Sequence, residues 1–401
     1  MKGIRFMKRF LVVFTLLCSI SFRGFAASEG DLEIYTYLYN TASTPTEKLN
    51  ILQVLQVQKL TGIGEFYAQA FNQLINQAAT IRSYNATEQA AANDLAQNLA
   101  ALIGDEKYTP SAPDLWRAYT EFSAPLVKAE SLISLGKLRD PSYLDEVLSV
   151  IEKLNGVSPR GSDEVDANSY IARGAILALE KYRDESGYLP VFLMSVSGYP
   201  KRILDLAKAT LPVILADPSE LLTAQVIKNP RFDSSIKLVA LQIIEDGDAP
   251  KASKAAAAAA ALAEGWRGQA PSRTETAQLR KTSILMIGRH GPSDPAVYPL
   301  LERSYKEGND DNEKVSSIQT LGVVATEDSA KQLSSFLMII IGRIQSGAIS
   351  RTDETMIREI IPAIATAGKP SGRAALEAAI NGPTIPAIKV LAQAALDKLP
   401  R

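Results

Sequence analysis

The stretch Leu126–Leu154, LVKAESLISLGKLRDPSYLDEVLSVIEKL, carries the pattern that decides the fold. Apolar residues recur at helical spacing in both of its halves. Between the halves, Asp140 suits an N-cap because its carboxylate can accept free backbone N–H groups, and Pro141 suits the first helical position. Asn155-Gly156 is the predicted end of the second helix, where we expect a positive φ. Neither helix is long enough to be stable alone, so we predict a hairpin that packs on its neighbours. The apolar positions are Leu126, Ala129, Leu132, Ile133 and Leu135 in the first helix, and Leu144, Val147, Leu148, Ile151 and Leu154 in the second.

The hairpin pattern recurs along the chain. When the first helices are aligned on their last apolar residue, each has a basic residue at one position and a small residue three positions later. In three of the helices a glycine directly follows the last apolar residue. The basic residues are Lys128, Lys237, Arg280 and Lys314, the small residues are Ser131, Ala240, Ser283 and Ser317, and the glycines are Gly136, Gly288 and Gly322. An aspartate also recurs at the predicted turns, at Asp140, Asp184, Asp217, Asp248, Asp294 and Asp328. Without two insertions, Asn155–Asn168 and Gly265–Thr276, the period is about 30–35 residues, which is typical of stacked helical hairpins.

This pattern resembles the HEAT-repeat family, especially its short bacterial variety. The resemblance covers about Leu126–Leu399 and rests on repetition at one period, because each single motif is weak. It implies an all-α fold: an α-solenoid of stacked antiparallel hairpins of the HEAT or armadillo type. One copy departs from the pattern, since Asp205 stands where a basic residue is expected and Pro212 falls within the first helix.

Three regions follow from this interpretation. Residues 1–26 read as a secretory signal peptide, with basic residues followed by an apolar run, Phe10–Phe22, that is too short to span a bilayer comfortably. Residues 27–120 form an N-terminal helical region, either a cap or degenerate repeats. Residues 121–401 form the HEAT-like repeats. We therefore expect an exported protein of the periplasm or cell envelope, with no transmembrane segment in the mature chain.

Cys18 is the only cysteine, so the mature chain has no disulfide and no thiolate metal site. It invites a lipoprotein interpretation, but Leu17 precedes it where lipoprotein processing wants a small residue. We therefore expect no lipid anchor at Cys18. The balance of 43 basic and 44 acidic residues lacks the charge excess of a nucleic-acid-binding protein.

Three motifs could carry chemistry, and each has a structural alternative. Arg289-His290-Gly291 opens a histidine phosphatase signature, but His290 is the only histidine and that chemistry needs two. A basic residue at a helix C-terminus is explained by the helix dipole alone. The acidic clusters Glu245–Asp248 and Asn309–Glu313 lack the ligand spacing of a calcium loop, so we interpret them as solvated capping turns.

Tyr143, Tyr188 and Tyr298 follow the predicted turns, where they could line a ligand groove or pack in the core. We predict no catalytic residue, no cofactor and no metal site. The predicted function is non-enzymatic binding of a protein or peptide partner on the solenoid surface, by a monomer. Two alternatives are an envelope hydrolase that uses carboxylates and a structural component anchored by a lipid.

Overall fold

The computed structural model describes residues 29–58, 60–157, 161–267, 274–291 and 295–400. These residues form 21 α-helices and contain no strand. The prediction of an all-α fold is therefore confirmed. The predicted signal peptide, with Cys18, lies outside the described residues. Contacts divide the chain into two compact units, the first ending at Thr210 and the second beginning at Leu211.

The first unit contains ten described helices, and an eleventh crosses into the second unit. They are α1 (Glu29–Thr41), α2 (Pro45–Gln58), α3 (Gly64–Ile75), α4 (Ala78–Ile81), α5 (Ala86–Asp105), α6 (Ala112–Glu121), α7 (Pro125–Leu138), α8 (Leu144–Asn155), α9 (Ser162–Tyr182), α10 (Tyr188–Ser195) and α11 (Lys201–Ile214). Helices α5, α7 and α9 pack side by side in that order, while α8 packs on α9 and α10. One hydrophobic core extends from Tyr39 in α1 to Leu138 in α7, so helices on both sides of residue 120 share it.

Two of the glycines that recur in the sequence, Gly136 and Gly322, lie where neighbouring first helices approach closely. A Cβ atom on Gly136 would lie 2.5 Å from the Cα of Ala178 in α9, and one on Gly174 would lie 2.7 Å from the Cα of Ala129 in α7. Real Cβ atoms do not come so near to a backbone, so a side chain at either position would force α7 and α9 apart.

Each first helix that carries a recurring glycine ends at a residue with a left-handed backbone, three positions after that glycine. Arg139 has φ 54°, Gly291 has φ 84° and Ala325 has φ 54°. The predicted end of α8 differs, because Gly156 keeps a right-handed φ of −84° and the expectation of a positive φ there is wrong. Two further differences concern Leu126, which is 43% exposed and not in the core, and the insertion Asn155–Asn168, since α9 already begins at Ser162.

Ten further described helices lie wholly within the second unit. They are α12 (Ser219–Leu222), α13 (Ser234–Asp246), α14 (Lys251–Gly265), α15 (Thr274–His290), α16 (Val297–Glu307), α17 (Asp311–Val324), α18 (Glu327–Gln345), α19 (Arg351–Ala367), α20 (Arg373–Asn381) and α21 (Pro386–Leu396). Helices α13, α15, α17, α19 and α21 form one row of consecutive neighbours, and α12, α14, α16, α18 and α20 form a second row. Each helix of the second row also packs on the next helix of the chain, which belongs to the first row, from α12 on α13 through α20 on α21.

Candidate functional site

Three of the predicted turn aspartates accept a hydrogen bond from a backbone N–H two residues later. Asp140 accepts from Ser142, Asp184 from Ser186 and Asp217 from Ser219, each at 3.0 Å. These bonds satisfy an N–H group that the helix start leaves without a partner. For Asp140 and Asp184, the capped element is a short 3₁₀ turn ahead of the second helix.

The other three predicted turn residues have different positions. Thr326, with Ser329, forms the capping box of α18, and Asp328 lies inside its first turn. Helix α14 begins after Pro250 without a side-chain cap, so Asp248 does not cap it. Asp294 lies outside the described residues.

The three tyrosines proposed for a groove are not exposed side by side. Tyr188 is 1% exposed and Tyr298 is 8% exposed, so both are core residues. Burial raises the pKa of the Tyr188 hydroxyl. The hydroxyl of Tyr298 lies 2.7 Å from Oγ1 of Thr326, and Tyr143 is half-buried.

His290 belongs to an ion cluster that joins the ends of α13 and α15. Its Nε2 lies 2.6 Å from Oε2 of Glu245, while Nη1 of Arg289 donates to Oε1 of the same carboxylate at 2.8 Å. Burial raises the pKa of Glu245, but the hydrogen bonds and charges of Arg289 and His290 outweigh it and hold that pKa below its usual value. The contacts of Arg289 and His290 with Glu245 therefore join the end of α15 to the end of α13.

Replacing Glu245 by glutamine should lower the free energy of unfolding at pH 7 by about 1–2 kcal/mol, since hydrogen bonds to a charged group are lost. Because the pKa of Glu245 is lower in the folded than in the unfolded protein, its stabilisation is complete above the unfolded value of about 4.3. It disappears as the pH falls further, through the folded pKa. Urea unfolding at pH 7 and pH 3 measures this, and a difference between wild type and E245Q that is unchanged at pH 3 would contradict it.

A polar opening lies in the second unit, where α13, α14 and α15 meet. It has a volume of about 530 Å³. The first turns of α13 and α15 form two of its sides, and the end of α14 forms the third. We call it the α13–α15 cavity, and its lining residues are Pro230, Phe232, Asp233, Ser234, Ser235, Lys237, Glu264, Arg267, Glu275 and Thr276.

A buried ion pair forms the inner wall of this cavity. Nζ of Lys237 donates to Oε2 of Glu264 at 2.7 Å, and the two side chains are only 7% and 5% exposed. Arg267, whose side chain is 66% exposed, binds the other oxygen of Glu264. At the base of the cavity, the hydroxyls of Ser234 and Thr276 lie 3.2 Å apart and connect α13 to α15.

A second buried ion pair lies one hairpin further along. Arg280 binds Glu313 through two hydrogen bonds of 2.6 and 2.9 Å, and both side chains are 0% exposed. The Arg280 guanidinium also lies 4.1 Å from the ring centre of Trp266, and Arg303 lies over the same ring at 4.4 Å. The indole N–H of Trp266 donates to Ser304 at 3.0 Å.

The repeat pattern of the sequence identified one member of each ion pair. Lys237 and Arg280 occupy the recurring basic position, but their acidic partners are 27 and 33 residues away. Glu313 was interpreted as part of a solvated turn, and that interpretation is wrong because the residue is fully buried. The proximity of Glu313 to Arg280 on the preceding first helix could have been inferred only from the stacking of the hairpins.

No protein-family model matches the sequence, and comparison with curated proteins gives no significant match. Within the described ranges, no three or more His, Cys, Asp or Glu side chains are grouped so that they could hold a metal ion. Among those same residues, every helix is too short or too polar to cross a membrane.

Proposed function

We propose that this protein is an exported binding protein of the helical-repeat type, whose HEAT-like solenoid holds a protein or peptide partner in the cell envelope. The arrangement of helices in the second unit supports a repeat architecture, because each helix from α12 to α19 packs on the next but one, and α12, α14, α16, α18 and α20 also pack on the helix that follows them. Contacts of this kind between near neighbours are what a stack of hairpins requires.

The observation that carries the proposal is the α13–α15 cavity. Its walls come from two consecutive first helices and from the second helix between them, so the packing of the hairpins creates it. A volume of about 530 Å³ is within the range of pockets that bind small ligands or a few side chains of a partner. The proposed location of the protein in the cell envelope rests on the predicted signal peptide at residues 1–26.

A carboxylate hydrolase is the second candidate, and the cavity contains the carboxylates of Asp233, Glu264 and Glu275. The contacts of Glu264 favour binding over hydrolysis. Lys237 and Arg267 occupy both of its oxygens, whereas a general acid or base must exchange a proton with the substrate. The proposal therefore keeps binding as the function.

A photo-crosslinking residue tests this function in living cells. Placed at Ser235, which is exposed and lines the cavity, it should form a covalent adduct with the partner. The matched control is the same residue at Thr355, an exposed position of α19 in the same unit that does not line the cavity. Mass spectrometry of the adducts identifies the partner. Adducts of equal yield at both positions, or none at residue 235, would overturn the proposal.

A further inference from the structure

The ammonium group of Lys237 has more donor capacity than the protein uses. It carries three N–H bonds. Among the residues that the structure describes, only Glu264 accepts from it, at 2.7 Å. The side chain is 7% exposed and lines the α13–α15 cavity, so its remaining donors can be satisfied only from within that space. Donors that are buried and unused are unfavourable, which makes an acceptor at this position stabilising.

The surrounding groups are also suited to an anionic acceptor. The first turns of α13 and α15, helices of 13 and 17 residues, both line the cavity. At the start of α13 the carboxylate of Asp233 already accepts from the backbone N–H of Ile236. What the two helix starts offer an anion is the partial positive charge of the helix dipole. Arg267 adds a cation that is exposed enough to turn from Glu264 towards a ligand.

The outer lining of the cavity consists of acidic and apolar side chains. Asp233 and Glu275 are exposed, so they favour positive charge next to the bound anion. Phe232, which is half-buried, and Pro230 offer apolar surface beside them. A peptide combines all of these features, since it carries carboxylate, apolar and cationic groups on one short chain.

We infer that the α13–α15 cavity binds a carboxylate of a peptide, with Lys237 as its principal ligand and Arg267 as an additional donor. This inference rests on the proposed binding function and names the chemistry that the cavity recognises. The carboxylate has two possible sources, the C-terminus of the peptide or an acidic side chain, and both present the same oxygens.

Three hexapeptide libraries distinguish these sources when they are passed over the immobilised full chain. The first has amidated C-termini and no Asp or Glu, the second has free C-termini and no Asp or Glu, and the third has amidated C-termini with Asp and Glu. We expect the second or the third library to be retained about tenfold more than the first, because a hydrogen-bonded charge is lost with the carboxylate. Equal retention of all three would overturn the inference.

Two variants locate the effect. Lys237→Met should abolish the preference for carboxylates, whereas Lys331→Met, an exposed lysine of α18, should leave it intact. Ser235→Trp obstructs the cavity without altering the Lys237–Glu264 pair and should also abolish binding, which keeps the test decisive if K237M does not fold. Circular dichroism verifies that each variant is folded. A folded K237M or S235W protein that keeps the preference would contradict the inference.

The outcome can be separated from that of the proposed function. An adduct at residue 235 in cells, together with equal retention of the three libraries, would refute carboxylate recognition and leave the binding function standing. A carboxylate preference without any adduct would refute the function in cells and leave the chemistry of the cavity standing.

Discussion

Replacing Glu313 by alanine is expected to lower the free energy of unfolding by about 3–5 kcal/mol, because it leaves the buried Arg280 without its counter-charge. The two side chains are 0% exposed and joined by two hydrogen bonds, so water cannot replace the missing carboxylate. Urea unfolding followed by circular dichroism measures the loss. Trp266, which lies against Arg280 at 4.1 Å, should report the same transition by fluorescence in a Trp116→Phe background.

The double variant Arg280→Met, Glu313→Leu is the control for this prediction. It removes both charges and fills their place with apolar atoms, and such replacements are often neutral or stabilising. Arg280→Lys should behave like the single Glu313 variant in direction, since an ammonium cannot form the paired hydrogen bonds of a guanidinium. A loss below about 1 kcal/mol in E313A, which is the level of an exposed ion pair, would show that the pair is not buried in solution.

Replacing Gly136 by alanine is expected to destabilise the first unit by about 1–3 kcal/mol, even though alanine favours helices. The new Cβ would lie 2.5 Å from the Cα of Ala178, and backbone atoms of a packed helix cannot move aside as a flexible side chain can. Thermal unfolding with circular dichroism detection measures the change.

Gly342→Ala is the matched control, because Gly342 lies in α18 with no atom within 4 Å of the added Cβ. It should stabilise the protein by about 0.5–1 kcal/mol, through helix propensity alone. Unfolding temperatures that rise for both variants would mean that α7 and α9 do not approach as closely as the structure places them.

The first of these predictions concerns contacts beside the cavity on which the proposed function depends. Cavities between hairpins keep their shape only if neighbouring first helices stay in register, and the glycine contacts and buried ion pairs fix that register. Loss of the Arg280–Glu313 pair should therefore also weaken ligand binding at the α13–α15 cavity, one side of which is the first turn of α15.

Local features of the fold were predictable from the sequence where a few neighbouring residues decide them. The turn at Asp140-Pro141 was predicted because an aspartate carboxylate and a proline ring act within two residues of themselves. The end of α8 at Asn155 was predicted as well, but the backbone conformation there was not, since Gly156 tolerates a positive φ without requiring one.

The candidate site was predictable only in part. Lys237 and Arg280 stood out because they repeat at one position, but a repeated basic residue on an amphipathic helix is compatible with an exposed face as well as with a buried one. Burial of these two side chains depends on Glu264 and Glu313, which come from other helices. The aromatic residues Tyr188 and Tyr298 showed the opposite problem, since a position after a turn allowed either a groove or the core, and packing decided for the core.

The sequence by itself determined that this protein is all-helical and where many of its helices begin and end, because periodicity, capping and proline geometry act over distances of a few residues. Only the tertiary structure decided which glycines allow neighbouring helices to touch and which acids neutralise the recurring basic residues. It also decided where a cavity remains between the hairpins. These outcomes depend on the distance between helices that are tens of residues apart in the chain, and that distance is set by the summed packing of whole helical faces.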